Sequence, residues 1–441
     1  MSGWVGRSLE LTVGAVGHGG FCVARHDGRV VFVRHALPGE RVVATVTEDR
    51  GGSYCRADAV RVLDASADRV PAACPAAGPG GCGGCDWQHA APSAQLALKA
   101  AVVREALSRI AGVDLPVSVE PLPGGQLGWR TRVQLAVGPD GRAGLHEHRS
   151  SRVVPLADCP LAVPGTLGAV LSSSWPPGSA VEVVHDAGGK LHVTTVSPDR
   201  DRPARRGSDR PSDRDRPARR GAPSSGAAGP GVSGGAVEPG VLGAPGRRRR
   251  VRGSGTAVQE AAGRSWQVSA DGFWQVHPAA AATLASVVGE WAAAPPGGLA
   301  WDLYGGVGLF AAGLAEQVGI TGSVVLVESS RRAITDGTAN LADLPQVTLR
   351  VGKVEQVLDE LPGEPDVVVV DPPRRGLGRP LAHAIADRGP SRLVYVACDP
   401  ASLARDVAAM AERGYTLAGL RAFDAFPMTH HVECVALLTH P

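Results

Sequence analysis

Apolar and polar positions alternate in three different rhythms along this chain, and each rhythm predicts a different kind of element. From residue 9 to residue 62 the apolar runs are short and rich in β-branched side chains, at 9–13, 28–33, 40–46 and 57–62, with glycine turns between them. That pattern predicts a small antiparallel barrel. Leu96, Val103, Leu107 and Ile110 then fall at helical spacing and predict an amphipathic helix over 92–111. Segments 129–159 and 180–196 read as strands, so the middle of the chain is expected to be α+β. The pattern is lost from 198 to 255, where the string Asp-Arg-Asp-Arg-Pro-Ala-Arg-Arg-Gly occurs at 199–207 and again at 213–221. A tract of Gly, Ala, Pro and Ser and then Arg247 to Arg250 follow it. No core can be built from such a stretch, which is expected to be disordered. From 299 onward strands and helices alternate: strands at 299–303, 323–328, 366–370, 392–397 and near 417–422 and 432–438, helices at 307–318, 380–388 and 400–413. Alternation of that kind predicts an open, mostly parallel sheet with helices on both faces.

The expected organisation is therefore an OB-like barrel at 1–66, an α+β central domain at 67–197, a disordered arginine-rich insertion at 198–255 and a Rossmann-like α/β domain at 256–441. A length of 441 residues and a hydrophobic content of 44% are enough for several separate cores. The formal charge of +2 hides an asymmetry, because residues 199–252 hold 14 Arg against 6 acids and leave 31 basic and 37 acidic side chains elsewhere. This segment is either an inserted linker or a flexible arm that adds salt-sensitive affinity for phosphate. The N-terminus carries no apolar signal segment, and no run of about eighteen uncharged apolar residues occurs. The protein is expected to be a cytoplasmic monomer without a membrane anchor.

Chemistry is concentrated at the ends of the predicted strands. Cys398 closes the apolar run 392–398 and is followed by Asp399 and Pro400, an N-cap and a first helical residue. A thiol there faces the positive end of a helix dipole, which favours thiolate. Asp302-Leu-Tyr-Gly-Gly-Val-Gly308 ends a strand and opens a helix, and Glu328 ends the next strand, where a carboxylate can accept from the hydroxyls of a ribose. The turn is not a dinucleotide fingerprint or a phosphate loop, so S-adenosylmethionine suits it better than NAD or ATP. Asp371-Pro372-Pro373-Arg374 follows a buried strand, with two prolines that fix the backbone into a rigid wall. Glu433 lies among apolar neighbours, where an unpaired carboxylate is costly. Cys74, Cys82, Cys85 and Cys159 supply four thiolates that suit an iron–sulfur cluster or zinc. Cys22, Cys55 and Cys434 read as ordinary buried thiols.

Residues 14–20 in a loop and His35-Ala-Leu-Pro-Gly-Glu40 before a strand resemble a TRAM domain, an RNA-binding module. Phe273-Trp-Gln-Val-His277, the 302–308 turn, Asp371-Pro-Pro-Arg, Ala397-Cys-Asp-Pro400 and Phe426-Pro-Met-Thr-His-His-Val-Glu433 occur in the order found in RNA (uracil-5-)-methyltransferases, and the chain resembles that family outside 198–255. The resemblance implies that Gln275, Tyr304, Glu328 and Asp371 contact S-adenosylmethionine, that Cys398 is the nucleophile and Glu433 the base, and that the Cys set holds a [4Fe-4S] cluster. It also implies a structured RNA substrate, ribosomal or transfer. Gly305 stands where many members have Cys, and His277 where Asn is common. Cytosine C5 or an exocyclic amine is the competing target, and a non-catalytic RNA-binding iron–sulfur protein the competing class.

Overall fold

The computed structural model describes residues 3–197 and 246–440. The N-terminal barrel is built from strands Ser8–Thr12, Cys22–His26, Arg29–Arg34, Arg41–Glu48 and Tyr54–Asp64, in the spatial order first, fourth, fifth, third, second. Residues just after the first strand continue onto the second, with Gly14 N–H donating to Val23 O at 2.8 Å and Val23 N–H to Ala15 O at 2.9 Å, which curls the sheet shut. Its interior is lined by the alternate positions Leu9, Leu11, Val31, Val33, Val42, Ala44 and Val46, each buried. The period of two in the sequence is thus the period of the barrel wall.

The central domain is a six-stranded antiparallel sheet ordered Arg247–Arg252, Leu191–Ser197, Ala180–His185, Arg132–Val137, Ala143–His146, Val153–Pro155. Two expectations are corrected here. Disorder is expected from composition as far as residue 255, yet Arg247–Arg252 is the edge strand of this sheet, with Arg248 paired to Val196 and Arg250 to Thr194. A run of arginines hides its β character from composition, because on an edge strand the long side chains stay in water while the backbone hydrogen-bonds. Residues 198–245 lie outside the described residues. The predicted helix forms at Pro92–Ala106, with its last turn continued at Leu107–Ala111 as a π turn, but it does not join the central domain. Ala100, Val103 and Leu107 pack with Trp301, Tyr395 and Leu403 of the C-terminal domain. The short strand Val119–Pro121 adds a parallel edge to that domain's sheet.

The C-terminal sheet has eight strands. Its seven strands from Leu299 onward, numbered in chain order, lie 3-2-1-4-5-7-6: Val347–Val351, Ser323–Glu328, Leu299–Leu303, Val367–Val370, Arg392–Ala397, Glu433–Thr439, Thr416–Asp424. The first five are mutually parallel and Glu433–Thr439 runs antiparallel to its neighbours. Helix Arg331–Asn340 and strand Val347–Val351 fill the stretch between 329 and 365, where the apolar pattern suggests no element. That helix exposes most of its surface, burying only Gly337 and Asn340, so its apolar face is too thin to read. The strands Val367–Val370 and Arg392–Ala397 are covered on both faces, which is why they appear as unbroken apolar runs.

Candidate functional site

The parallel registers set three of the singled-out residues side by side. Leu303 pairs with Val327 on one side and with Val370 on the other, so the next residues along, Tyr304, Glu328 and Asp371, end neighbouring strands at one carboxyl edge. Tyr304 N–H donates to Val327 O at 2.9 Å and Asp371 N–H to Leu303 O at 3.2 Å, tying the three turns together. Tyr304 has φ of 66°, a left-handed conformation that a bulky residue adopts only under constraint. Gly308 has φ of 98°, and a Cβ there would lie 2.5 Å from Leu341, so the turn tolerates no side chain. Glu328 is drawn over this turn, its Oε2 accepting from Gly306 N–H at 3.2 Å and its Oε1 from Ser330 N–H at 2.6 Å. Gly305 is tight too: a Cβ there would lie 2.6 Å from Leu326. Asp302 is wholly buried, with Oδ2 accepting from Ala311 N–H at 2.9 Å and Oδ1 unpartnered among the described residues.

On the other half of the same edge, Ala397 pairs with Cys434 in antiparallel register. The next step of that register sets Cys398 opposite Glu433. Glu433 is buried at 3% exposure in the interior of the sheet, not on a solvated edge. Burial drives the Cys398 thiol well above its usual range, the carboxyls of Glu433 and Asp371 push it further, and Arg374 opposes them. Burial thus opposes the thiolate that a helix N-terminus alone favours. Asp399 does cap helix Pro400–Ala411, accepting from Ser402 N–H at 2.8 Å, and its charge is among those that raise the thiol. Although burial opposes it, His18 at 3.1 Å and Ser402 hold the Asp399 carboxyl down at about 2. Burial, with Asp371 adding to it and Arg374 opposing, raises Glu433 well above the carboxylate range. Burial likewise raises Asp371, helped by Glu328, and Asp302, helped by Asp371 and Glu328, each to about 7.

The motifs contain Arg374, His430 and His431 but do not disclose the partners that hold them, and Asp86, Gln95, Lys99 and His18 lie outside the motifs altogether. Arg374 donates to the His431 ring at 3.2 Å, and burial followed by the charges of His430 and Arg374 pushes His431 well below its usual range. His430 Nδ1 lies 2.6 Å from Asp86 Oδ2. Asp86 follows Cys85 directly, and its own N–H and that of Trp87 donate to Met428 O at 3.0 Å. Gln95 accepts from Met428 N–H at 2.8 Å, and Lys99, fully buried, pairs with Asp424 and donates to Phe426 O at 3.1 Å. Helix Pro92–Ala106 thus grips the loop that leads into Glu433. His18 comes from the barrel, whose loop is wedged at this spot: a Cβ on Gly20 would lie 2.9 Å from His430. Only a pairing of remote segments, invisible in one sequence, could have signalled these roles.

Gln275 is buried in a segment fastened to the central sheet, since Thr131 N–H donates to Val276 O at 3.0 Å and Arg132 to Gly272 O at 2.6 Å. His277 is buried and stacked on Trp129 with ring centroids 5.8 Å apart. Tyr395, Trp274 and Phe426 are buried, and the Tyr395 hydroxyl is spent on Asp406 at 2.6 Å. Cys74, Cys82, Cys85 and Cys159 all line one cavity with Gln88, Arg130 and Leu161. Gly84 N–H points at Cys82 Sγ at 3.4 Å and Gln88 Nε2 at Cys85 Sγ at 3.4 Å, donors that suit thiolates. Burial pushes Cys82 up to about 11 and Cys85 up to about 12. Among the described residues no three His, Cys, Asp or Glu side chains are drawn together closely enough to hold a metal ion. Cys22, Cys55 and Cys434 are buried in the barrel and sheet cores, as expected.

This chain is similar over its whole length to known proteins. Residues 4–60 match the TRAM domain family, and residues 359–441 match the tRNA (Uracil-5-)-methyltransferase family. An uncharacterised RNA methyltransferase of Streptomyces avermitilis is 44% identical over 450 residues, covering 98% of both chains. A second, from Bifidobacterium longum, is 36% identical over 451 residues, covering 95% of this chain and 94% of its own. Among solved structures, the tRNA (uracil-54, C5)-methyltransferase of Pyrococcus abyssi in complex with S-adenosyl-L-homocysteine matches with a TM-score of 0.66 at 23% identity, over 98% of this chain and all of that one. At that identity the likeness speaks to the fold.

Proposed function

The chain belongs to the RNA (uracil-5-)-methyltransferase family, with a TRAM domain at its N-terminal end, and on that premise we propose that it methylates C5 of a uridine in structured RNA, ribosomal or transfer, through a covalent bond between Cys398 and C6. The observation that carries this reading is the meeting of a half-buried thiol with a buried carboxyl at adjacent strand ends, Asp371 and Arg374 flanking them. An amine methyltransferase has no use for that thiol, and a relic has no reason to keep a buried unpaired carboxyl beside it.

When bound, S-adenosylmethionine would supply a sulfonium methyl to a nucleophilic C5 and leave as the neutral thioether S-adenosylhomocysteine. Uracil C5 is too weak alone. Cys398 adds as thiolate to C6, its proton leaving to solvent, and the C5–C6 electron pair moves onto the O4 carbonyl as an enolate, which makes C5 nucleophilic. Once C5 carries the methyl group, Glu433 takes the C5 proton; the C5–C6 double bond re-forms and the C6–S bond breaks, returning the thiolate. Gln275, Tyr304, Glu328 and Asp371 are assigned to the cofactor, Glu328 to the ribose hydroxyls and Asp371 beside the reacting groups. The resting site disfavours ionisation of Cys398 and Glu433 by burial and mutual repulsion, so each ionises more readily once positive charge enters.

Cys74, Cys82, Cys85 and Cys159 are assigned a [4Fe-4S] cluster, which the donor set, the shared cavity and the N–H groups aimed at two sulfurs support. It would staple the 74–85 loop to the central domain and so fix Asp86, which holds His430. The proposed role is structural. Analysis of iron, zinc and acid-labile sulfide in the purified protein distinguishes this assignment from zinc. The protein is proposed to work in the cytoplasm as a monomer; among the described residues no helix is long and apolar enough to cross a membrane. Nucleoside mass spectrometry of ribosomal and transfer RNA from cells with and without the gene tests the whole reading. Loss of 5-methyluridine from one pool is expected, and no change in either overturns it.

A further inference from the structure

The strand Arg247–Arg252 is unlike any other strand in the protein. It carries arginines at 247, 248, 249, 250 and 252, and five of its six residues are exposed. One edge is paired to Leu191–Ser197 and the other is the open edge of the central sheet. Arg248 is anchored inward, donating to buried Glu182 at 3.1 Å and lying 3.4 Å from Asp271. Among the described residues, the remaining four have no carboxylate partner.

Charge on an edge strand can serve only to keep other strands from pairing with it. That purpose needs little charge and is met as well by mixed signs. Here arginines of one sign crowd together on a protein whose other residues outside 199–252 are acidic on balance. Among the described residues no carboxylate offsets the like charge of Arg247, Arg249, Arg250 and Arg252, which is expected of a surface whose counter-charge comes from outside. Successive side chains of a strand point to opposite faces, so the arginines line both sides of this edge, along which an extended anionic chain can run.

The strand is also tied to the segment that carries Gln275. Arg248 contacts Asp271, which also pairs with Arg332; two residues on is Phe273, 54% exposed, and two further is Gln275. An exposed aromatic ring on a segment tied to the basic strand is a composition suited to binding nucleic acid by stacking and phosphate contact. Arg–phosphate contacts are frequently bidentate, which suits guanidinium better than ammonium where orientation matters.

We propose that Arg249, Arg250 and Arg252, with Arg247 beside them, form a rigid phosphate-binding strip that receives the backbone of the substrate RNA next to the mouth of the site. The inference rests on the reading that the substrate is RNA, and it names where on the central domain the polyanion lies.

The test uses the full chain with Arg249→Gln, Arg250→Gln and Arg252→Gln together, leaving the anchor Arg248 in place. A second triple variant puts Lys at the same positions. Binding of a labelled, unmodified tRNA transcript is followed by anisotropy from about 50 to about 200 mM KCl. Each phosphate contact contributes about 0.9 to the slope of log affinity on log salt for duplex and about 0.7 for single strands. Losing three contacts therefore makes the advantage of the native chain over the Gln variant shrink about 20- to 40-fold across that range. The Lys variant is expected to keep most of the slope, and S-adenosylmethionine binding and thermal melting should be unchanged in both. An unaltered slope in the Gln variant overturns the strip, and so does a loss of affinity equal at all salt concentrations. If the triple variant folds poorly, single Arg→Gln variants replace it: each should lower the slope by about one contact, and unaltered slopes in all of them overturn the strip equally. Failure of the strip is separable from failure of the reaction, because 5-methyluridine formation by the native chain is measured on total RNA independently of the salt slope.

Discussion

Replacing Lys99 by Met should cost more than any other single change outside the hydrophobic cores, and it should do so through the loop that leads into Glu433. Lys99 lies on helix Pro92–Ala106 with its side chain 0% exposed; its partner Asp424 is 1% exposed. The ammonium also donates to Phe426 O at 3.1 Å, at the head of the segment that runs to Glu433. Met preserves the length and most of the packing of the stem but removes the charge. Asp424 then stays in the interior with no counter-ion, and its Oδ2 already has no partner among the described residues. Breaking a buried pair from one side costs about 3–5 kcal/mol, because a charge is left uncompensated. Replacing both partners by apolar residues of similar size, Lys99→Met with Asp424→Leu, removes that penalty and should recover most of the loss. Urea denaturation of the four proteins of the cycle, followed by tryptophan fluorescence, measures the coupling. Additive effects, or a Lys99→Met cost below about 1 kcal/mol, would refute the claim that the pair is closed to water. Activity should fall as well, but only in part, since Phe426 O keeps Thr429 Oγ1 at 2.8 Å as a second donor.

Glu433→Gln leaves Cys398 free to add to C6 but removes the acceptor for the C5 proton, so release should slow by about 10²–10⁴-fold and a protein–RNA adduct should persist on a denaturing gel. Cys398→Ser should give no adduct and no product, while an adduct-free Glu433→Gln enzyme would exclude Glu433 as the base. Burial first, then Glu328, holds the Asp371 proton up to about 7, and a sulfonium prefers the ionised carboxylate. Affinity for S-adenosylmethionine by calorimetry should therefore rise with pH to about 7 and level off above it, and Asp371→Asn should flatten the profile; an affinity that falls as pH rises has the wrong sign. Asp399→Ala should cost about 1 kcal/mol for the lost N-cap. Because the Asp399 charge is among those that raise the Cys398 thiol, the same variant should be alkylated faster by iodoacetamide at a given pH, and slower alkylation would contradict that electrostatic account.

The contrast between what the sequence discloses and what it conceals has a physical basis. Tyr304, Glu328, Asp371 and Cys398 each end a strand buried on both faces, and such strands print themselves as continuous apolar runs whose last residue is easy to find. Once those ends are known, parallel pairing brings them to one edge without further information. Arg374, His18, Asp86 and Lys99 act through partners 57, 381, 344 and 325 positions away, respectively, and no local period marks such a pairing. The same limit explains the two misplaced segments. Adjacency in sequence assigns helix Pro92–Ala106 to the central domain, although its buried Gln95 and Lys99 serve the loop at 424–428. Arg247–Arg252 reads as disordered because composition describes side chains, whereas an edge strand is held by its backbone. The state of the thiol shows the same limit. A helix dipole is a local feature, worth about 0.3–1 kcal/mol at an exposed terminus. Burial and the carboxyls of Glu433, Asp371 and Asp399, delivered by other turns of chain or by the cap itself, act against it. The Cys398 thiol is therefore set by its neighbours in space, and its reactivity should respond to charges entering or leaving that edge more than to any change in the helix it precedes.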